Sequence, residues 1–258
     1  KSTPLRGHKL IAPTLLTLTA ADRTTTLYGT LLLPPGRNED RSVPLIVNPY
    51  GGPDVGMMHD AWGGKSNSLD SIAQHTATLV VFGALSPRTA QNEAGGLGRH
   101  TLEDYLRQMA ARGTKIVLAS PLKDDMPDWS GAEWWPIRPN TDVALMLGLA
   151  GEIVKAGRHD RKFLARCTSG SERFLAYLDG SMDCERKDAA WAAQITDLDK
   201  EKIIALARRL VDTRSMLTVS WSLQRAHHGE QPFWAALGLA SVVGQIGLPG
   251  GGVGYGYA

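Results

Sequence analysis

Two stretches of this sequence gather side chains able to do chemistry. Trp221-Ser222-Leu223-Gln224-Arg225 is followed at once by His227-His228-Gly229-Glu230-Gln231, so an indole, a guanidinium, two imidazoles and a carboxylate crowd into one short segment. A ring to stack a ligand, a cation to anchor an oxyanion and groups that titrate near neutrality are the ingredients of a binding site. A solvated loop rarely carries Trp, Arg and two His together, yet paired histidines also occur as surface or satisfied core residues, and the pattern alone leaves both readings open. The second stretch is Asn140-Thr141-Asp142, directly after Pro139 and ahead of an apolar run. A helix start there presents unpaired N–H groups to oxygen ligands, and its aspartate can accept two hydrogen bonds from a guanine edge. On spacing alone the plainer reading is favoured, an N-cap with an acid that complements the helix dipole.

Familiar signatures fail elsewhere. Gly64-Lys65-Ser66 ends like a phosphate-binding loop, but the first glycine of that pattern falls on His59 and no strand leads into it. The run Gly250 to Gly256 lacks dinucleotide-fingerprint spacing, follows a helix pattern rather than a strand, and reads as a flexible turn. Neither a Gly-x-Ser-x-Gly elbow nor a His-Glu-x-x-His helix occurs, so hydrolysis by either route has no nucleophile. Cys167 and Cys184 cannot build a disulfide framework and lack the paired spacing of a zinc or iron–sulfur site, which makes a reducing compartment the mild default.

The elements that must position these residues are legible from about residue 70 onward. Thr78 to Phe82, Lys115 to Ala119 and Met216 to Ser220 are short buried-strand runs. Between the first two, Thr101 with Asp104 makes a capping-box pattern. Leu102, Tyr105, Leu106 and Met109 form one apolar face, and Gly113 ends the helix. A second helix starts at Asn140 to Asp142, with Val143, Met146, Leu147, Ala150, Ile153 and Val154 on one stripe. A third follows a box from Thr196 to Asp199, with Ile203, Leu206, Ala207 and Leu210 inward. This alternation predicts an α/β fold, a three-layer Rossmann-like parallel sheet with helices on both faces, whose ligands sit at the carboxyl ends of the strands. The segment before residue 70 differs. It holds seven of the 14 prolines and reads as strands over Leu15 to Thr19, Thr26 to Leu33 and Pro44 to Asn48, a small antiparallel β segment.

Composition narrows the function classes. The chain has 258 residues, 43% hydrophobic and 21% charged, with 28 basic against 26 acidic residues and a net charge of +2. It is long enough to bury a sizeable core, and without a Lys/Arg-rich run it argues against nucleic acid as a main partner. No apolar stretch approaches the roughly 20 residues of a membrane span, and the N-terminus has no basic-then-apolar leader pattern. Lys1 in place of Met reads as a fragment or a trimmed product. Cytoplasm and periplasm both stay open, as does the oligomeric state.

From about residue 72 onward the sequence resembles the molybdopterin-guanine-dinucleotide S/N-oxide reductases, nearest to the biotin sulfoxide reductase group and more distantly to the dimethyl sulfoxide and trimethylamine N-oxide reductases. The stretches that carry the resemblance are Val80-Val81-Phe82-Gly83-Ala84-Leu85-Ser86-Pro87, Ile137-Arg138-Pro139-Asn140-Thr141-Asp142, Trp221 to Gln231, and Gly244-Gln245-Ile246-Gly247-Leu248-Pro249-Gly250-Gly251-Gly252. The resemblance implies a bis(molybdopterin guanine dinucleotide) molybdenum cofactor and oxygen-atom transfer from a small-molecule S-oxide or N-oxide, of the biotin or methionine sulfoxide type. It implies that Asn140, Thr141 and Asp142 contact a guanosine arm, with Ala119 and Ser120 at its ribose and phosphate. It places Trp221, Ser222, Gln224 and Arg225 by the pterin and the substrate funnel, Trp221 and Arg225 being nearest the chemistry. The metal-ligating side chain, a serine in this group, would lie in a segment this chain does not carry. No metal ligand is therefore assigned, and the resemblance implies a partial, inactive reductase.

Residues 1 to about 70 resemble a different family, the opening of the catalytic domain in dipeptidyl peptidase IV-like prolyl oligopeptidases. Leu27-Tyr28-Gly29-Thr30-Leu31-Leu32-Leu33-Pro34-Pro35, Val43 to Pro53 and Asp60-Ala61-Trp62-Gly63-Gly64 carry that likeness. It implies an oxyanion-hole role for Tyr50 without the triad that would use it. The chain thus reads as a splice of two unrelated fragments joined near residues 66 to 74, against the alternative of a reductase with a diverged N-terminal extension.

Overall fold

The computed structural model describes residues 14–19, 23–24, 26–31, 67–88 and 101–256. The chain divides into two compact units, Lys1–Tyr50 and Gly51–Ala258, so the division falls ahead of the composition shift near residue 70. In the first unit, β1 (Thr14–Thr19) pairs antiparallel with β2 (Thr26–Leu31), Thr14 facing Leu31 and Thr19 facing Thr26. That is the expected antiparallel segment. The expected strand at Pro44 to Asn48, Tyr50 and Gly64-Lys65-Ser66 all lie outside the described residues.

The second unit is built on a five-stranded sheet, parallel throughout. Its strands are β3 (Thr78–Phe82), β4 (Lys115–Ala119), β5 (Glu133–Trp135), β6 (Ser215–Val219) and β7 (Gly252–Tyr255), in the spatial order β5-β4-β3-β6-β7. Every residue of β3 and β6 is buried, which is why these strands read as unbroken apolar runs instead of alternating ones. The chain steps outward from β3 through β4 to β5. It then returns past β3 to lay down β6 and β7 on the other side, so the strand order reverses between β3 and β6.

One face carries α1 (Leu69–His75) and α2 (Leu102–Arg112), whose Ile72, Ala73, Leu102, Leu106 and Met109 pack on Leu79, Val81, Ile116, Leu118 and Met216. The other face carries the longer insertion between β5 and β6: α3 (Asp142–Lys155), α4 (Arg161–Cys167), α5 (Ser171–Leu178), α6 (Ala189–Thr196) and α7 (Lys200–Asp212), joined by α8 (Gln231–Val243). Helix α3 has an unbroken buried run from Ala144 to Gly151 because it lies between the sheet and other helices, and Val80, Phe82, Val117 and Val219 belong to the same core. Two covered faces give the three-layer α/β architecture expected from the sequence.

Three local readings need correction. Thr196 does not open α7. It ends α6, donating its hydroxyl to the Ala192 carbonyl at 2.7 Å, and Asp199 alone caps α7 by accepting from Glu201 N at 2.7 Å and Lys202 N at 3.3 Å. Thr101 stands at the N-cap of α2 in αR geometry and makes no side-chain capping bond, so the box with Asp104 does not form. The glycine run read as a flexible turn contains β7, paired in parallel with β6 from Met216 opposite Gly252 to Val219 opposite Tyr255.

Candidate functional site at the carboxyl edge of the sheet

Because all five strands run the same way, their carboxyl ends share one edge, and the residues singled out in the sequence follow those ends. Gly83 follows β3, Ser120 follows β4, the 136–142 loop follows β5, and residues 220–230 follow β6. The β5 and β6 groups are three strand spacings apart, about 14 Å, so a single ligand touching both must be extended.

The reversal point between β3 and β6 is drawn tight. Ser220 N donates to the Phe82 carbonyl at 2.9 Å and Gly83 N to the Ala119 carbonyl at 3.0 Å, which continues both ladders one residue past the strands. A Cβ on Gly83 would sit 2.5 Å from Leu223 Cδ1 and 2.8 Å from Ser220 Cβ, and its φ of +85° suits glycine. Ser220 turns its hydroxyl along the edge to within 2.9 Å of Ser222 Oγ and caps the short 3₁₀ turn Trp221–Gln224.

That turn holds the first candidate cluster. Trp221 stacks on Phe233 at 5.5 Å between ring centroids and lies 6.1 Å from the ring of Tyr255. Its indole Nε1 is buried, with no hydrogen-bond partner among the described residues. Ser222, Gln224 and Arg225 are exposed. Beyond them the His227 and His228 rings lie 3.9 Å apart, with His228 Nδ1 3.8 Å from Glu230 Oε1. The Glu230 carboxyl is held below its ordinary value, first by the Gln231 side-chain amide and then by its backbone and the two imidazoles.

The second cluster opens α3. Asn140 is exposed in left-handed geometry at φ 63°, and Thr141 donates its hydroxyl to the Arg138 carbonyl at 2.6 Å. Asp142 is partly buried. Burial pushes its carboxyl up to about 6, opposed only by a hydrogen bond from its own backbone N–H. The nearby guanidinium of Arg138 is occupied by Asp197 at 2.5 Å.

Ala119 and Ser120 lie at the same edge but face inward. Ala119 is fully buried and Ser120 nearly so. The Ser120 hydroxyl donates to Asp125 and accepts from Leu122 N at 3.1 Å, and its carbonyl accepts from Trp134 Nε1 at 2.8 Å. What this corner presents outward is Pro121, Leu122 and Lys123. A cavity of about 250 Å³ opens between the loops after β3 and β4, lined among others by Arg88, Glu103, Asp124, Asp128 and Trp129. Sequence reasoning missed Asp125, Phe233 and Tyr255, which support the edge. Only a known fold shows that Tyr255 ends the strand beside Trp221.

Among the described residues no group of three or more His, Cys, Asp or Glu side chains is placed to hold a metal ion, and no helix is long and apolar enough to cross a membrane.

Residues 67–257 match the family model described as molybdopterin oxidoreductase. Biotin sulfoxide reductase of Cereibacter sphaeroides is 73% identical over 197 residues, covering 76% of this chain and 26% of the relative. A dimethyl sulfoxide/trimethylamine N-oxide reductase of the same organism is 42% identical over 186 residues, or 72% of this chain and 23% of the relative. Trimethylamine-N-oxide reductase of Haemophilus influenzae is 39% identical over 193 residues, or 75% and 23%. The chain spans about a quarter of the length of these curated relatives. Among solved structures, acetylene hydratase from Pelobacter acetylenicus superposes with a TM-score of 0.56 at 19% identity, over 76% of this chain and 25% of that one, a likeness of fold alone. With the family model covering nearly three quarters of its length, the chain belongs to the molybdopterin oxidoreductase family, and its cofactor class is molybdenum held by molybdopterin.

Proposed function

We propose that this chain is the α/β part of a reductase for S-oxides or N-oxides, and that its carboxyl edge carries a guanine dinucleotide form of the cofactor, the bis(molybdopterin guanine dinucleotide) form. The observation that carries the reading is the Asp142 carboxylate. It is partly buried at the start of a 14-residue helix, on the ligand edge, and among the described residues its own backbone is the one donor to it. Guanine presents two adjacent N–H donors that a carboxylate accepts as a pair, whereas adenine does not. At the other end of the edge, the partly buried indole of Trp221, held by Phe233 and Tyr255, offers a ring on which the same extended ligand can stack. The residues present fit the group.

When bound, the cofactor supplies the two-electron chemistry that removes an oxygen atom from the substrate. The chain's own share is binding, orientation and exclusion of water. Asp142 accepts the base edge, while Asn140 and Thr141 shape its pocket. Trp221 and the rings behind it wall the crevice, with Ser222 and Gln224 alongside, and Arg225 offers an exposed guanidinium to the oxygen pole of an S-oxide or N-oxide. Ala119 and Ser120 act through the shape of their corner, since the serine hydroxyl is committed to its own loop.

The chain itself tests the base preference. Titrating GDP and ADP by calorimetry should show GDP favoured by roughly tenfold, the value of a charged hydrogen-bond partner. Equal, millimolar binding of both would overturn the guanine reading. For the activity, the full-length protein that contains this segment should oxidise reduced methyl viologen in the presence of a sulfoxide. No turnover with any S-oxide or N-oxide would refute it.

A further inference from the structure

We propose that Tyr255 is a positioning residue for Trp221, acting with Phe233 as a clamp that fixes where the indole stands at the carboxyl edge. The inference rests on reading Trp221 as a cofactor contact. A four-residue 3₁₀ turn with no buried residue cannot by itself hold a side chain as large as an indole. The ring is held from outside the turn, by two elements distant in sequence. Phe233, near the start of α8, stacks on it with planes 28° apart, and Tyr255, the last residue of β7, meets it at 31°. The two clamping rings touch each other at 5.3 Å. The Tyr255 hydroxyl then donates to the Phe233 carbonyl at 3.1 Å, tying one jaw of the clamp to the backbone of the other.

The next residue completes the seat. A Cβ on Gly256 would fall 1.9 Å from the indole nitrogen, so the edge of the ring occupies space that any other residue would fill. Three residues from two elements thus converge on a ring that is itself only partly buried. The bland account is an aromatic cap over the core that adds stability and nothing else. The latch argues against it. A phenylalanine at 255 would bury the same rings, so the hydroxyl adds registration between strand and helix, which is what a fixed indole needs.

Indole ¹⁵N–¹H spectra of the full chain test this, with Trp221→Phe assigning the resonance. In Tyr255→Ala the Trp221 signal should move and its N–H exchange with deuterium should rise about tenfold. Tyr255→Phe, which keeps the ring and loses the latch, should raise exchange about threefold and shift the Trp221 signal, with a small fall in melting temperature and the other indole signals in place. A purely structural role predicts the lower melting temperature with the Trp221 signal and its exchange unmoved. If Tyr255→Ala does not fold, Tyr255→Phe decides alone. Exchange and shift within twofold of wild type in Tyr255→Phe overturn the clamp. The underlying reading fails separately, if Trp221→Phe in the full-length protein leaves cofactor retention unchanged while the clamp variants still move the indole.

Discussion

Asn67 holds Gly250 by a side-chain bond across 183 positions of sequence. Its Oδ1 accepts from Gly250 N at 2.9 Å, while its Nδ2 donates to the carbonyls of Gly251 at 2.7 Å and Leu248 at 3.2 Å. Thr76 adds a bond from its hydroxyl to the Gly250 carbonyl at 2.7 Å, and Gln245 accepts from Ser215 N at 2.8 Å. The glycine-rich loop is thereby latched at the amino edge of the sheet, opposite the candidate site, where it delivers the chain into β7. Asn67→Ala should cost about 1–3 kcal/mol in urea unfolding, because it orphans a part-buried loop N–H and two carbonyls. GDP affinity should not change. A loss of GDP binding in a folded Asn67→Ala chain would mean the loop belongs to the site after all.

Gly151 lies where α3 passes the chain entering α6. A Cβ there would stand 1.8 Å from the Lys187 carbonyl oxygen, a backbone atom that cannot swing away. Propensity alone predicts a gain of about 1 kcal/mol from Gly151→Ala in mid-helix. The contact predicts a loss of about 3 kcal/mol or more, opposite in sign. Thermal unfolding decides, and a stabilised variant would show that α3 can move off α6 freely.

Lys187 itself is a buried cation. It is 1% exposed, donates to Asp183 and the Glu185 carbonyl, and lies 4.4 Å from the Tyr177 ring. Lys187→Ala should cost about 3–5 kcal/mol, combining a cavity with the loss of these bonds. Lys187→Met keeps the stem among the rings, and Asp183 is open enough for water to replace the ammonium, so the loss should shrink to about 1–2 kcal/mol. Equal losses in denaturant titration would assign the whole effect to charge.

How much of this was legible in the sequence follows from which forces act locally. The strands at Thr78, Lys115 and Ser215 and the faces of α2 and α7 were readable because burial imposes a period on neighbouring residues. The edge was readable too, since parallel strands fix where a ligand can sit. What escaped depends on distant partners. β7 hides in a glycine run whose register comes from β6 and whose entry is set by Asn67. The cap of α7 went to Asp199 because Thr196 was taken by the preceding helix. The resemblance names Ser120 as a residue by the ribose and phosphate, and what the sequence does not show is that Asp125, five residues on, takes its hydroxyl. Tyr255 carried no local signal at all, because its meaning lies in Phe233 and Trp221.

At Asp142 stability and binding pull in opposite directions. Burial holds its folded carboxyl at about 6, against an ordinary value of 3.8, so the folded state keeps a proton that the unfolded chain has released. Stability from this group is therefore highest below about pH 4 and is lost as pH rises through 6, the reverse of a salt-bridged aspartate. The full span is up to about 3 kcal/mol, from a shift near two units. Arg138 does not relieve it, being bound to Asp197, and no other cation is paired with the carboxylate among the described residues. Asp142→Asn stays neutral, so at pH 7.5 it should be more stable than wild type by about 1–3 kcal/mol, with the difference vanishing near pH 4. Guanine binding must run the other way, because only the ionised carboxylate accepts both N–H donors. Wild-type GDP affinity should therefore fall as pH drops below 6, and the Asn variant should be weak at every pH. Urea unfolding and GDP calorimetry at pH 4.5 and 7.5 measure both trends on the same two proteins. An Asn variant no more stable than wild type at pH 7.5 would remove the burial argument, and GDP binding that ignores pH would remove the carboxylate from the base contact.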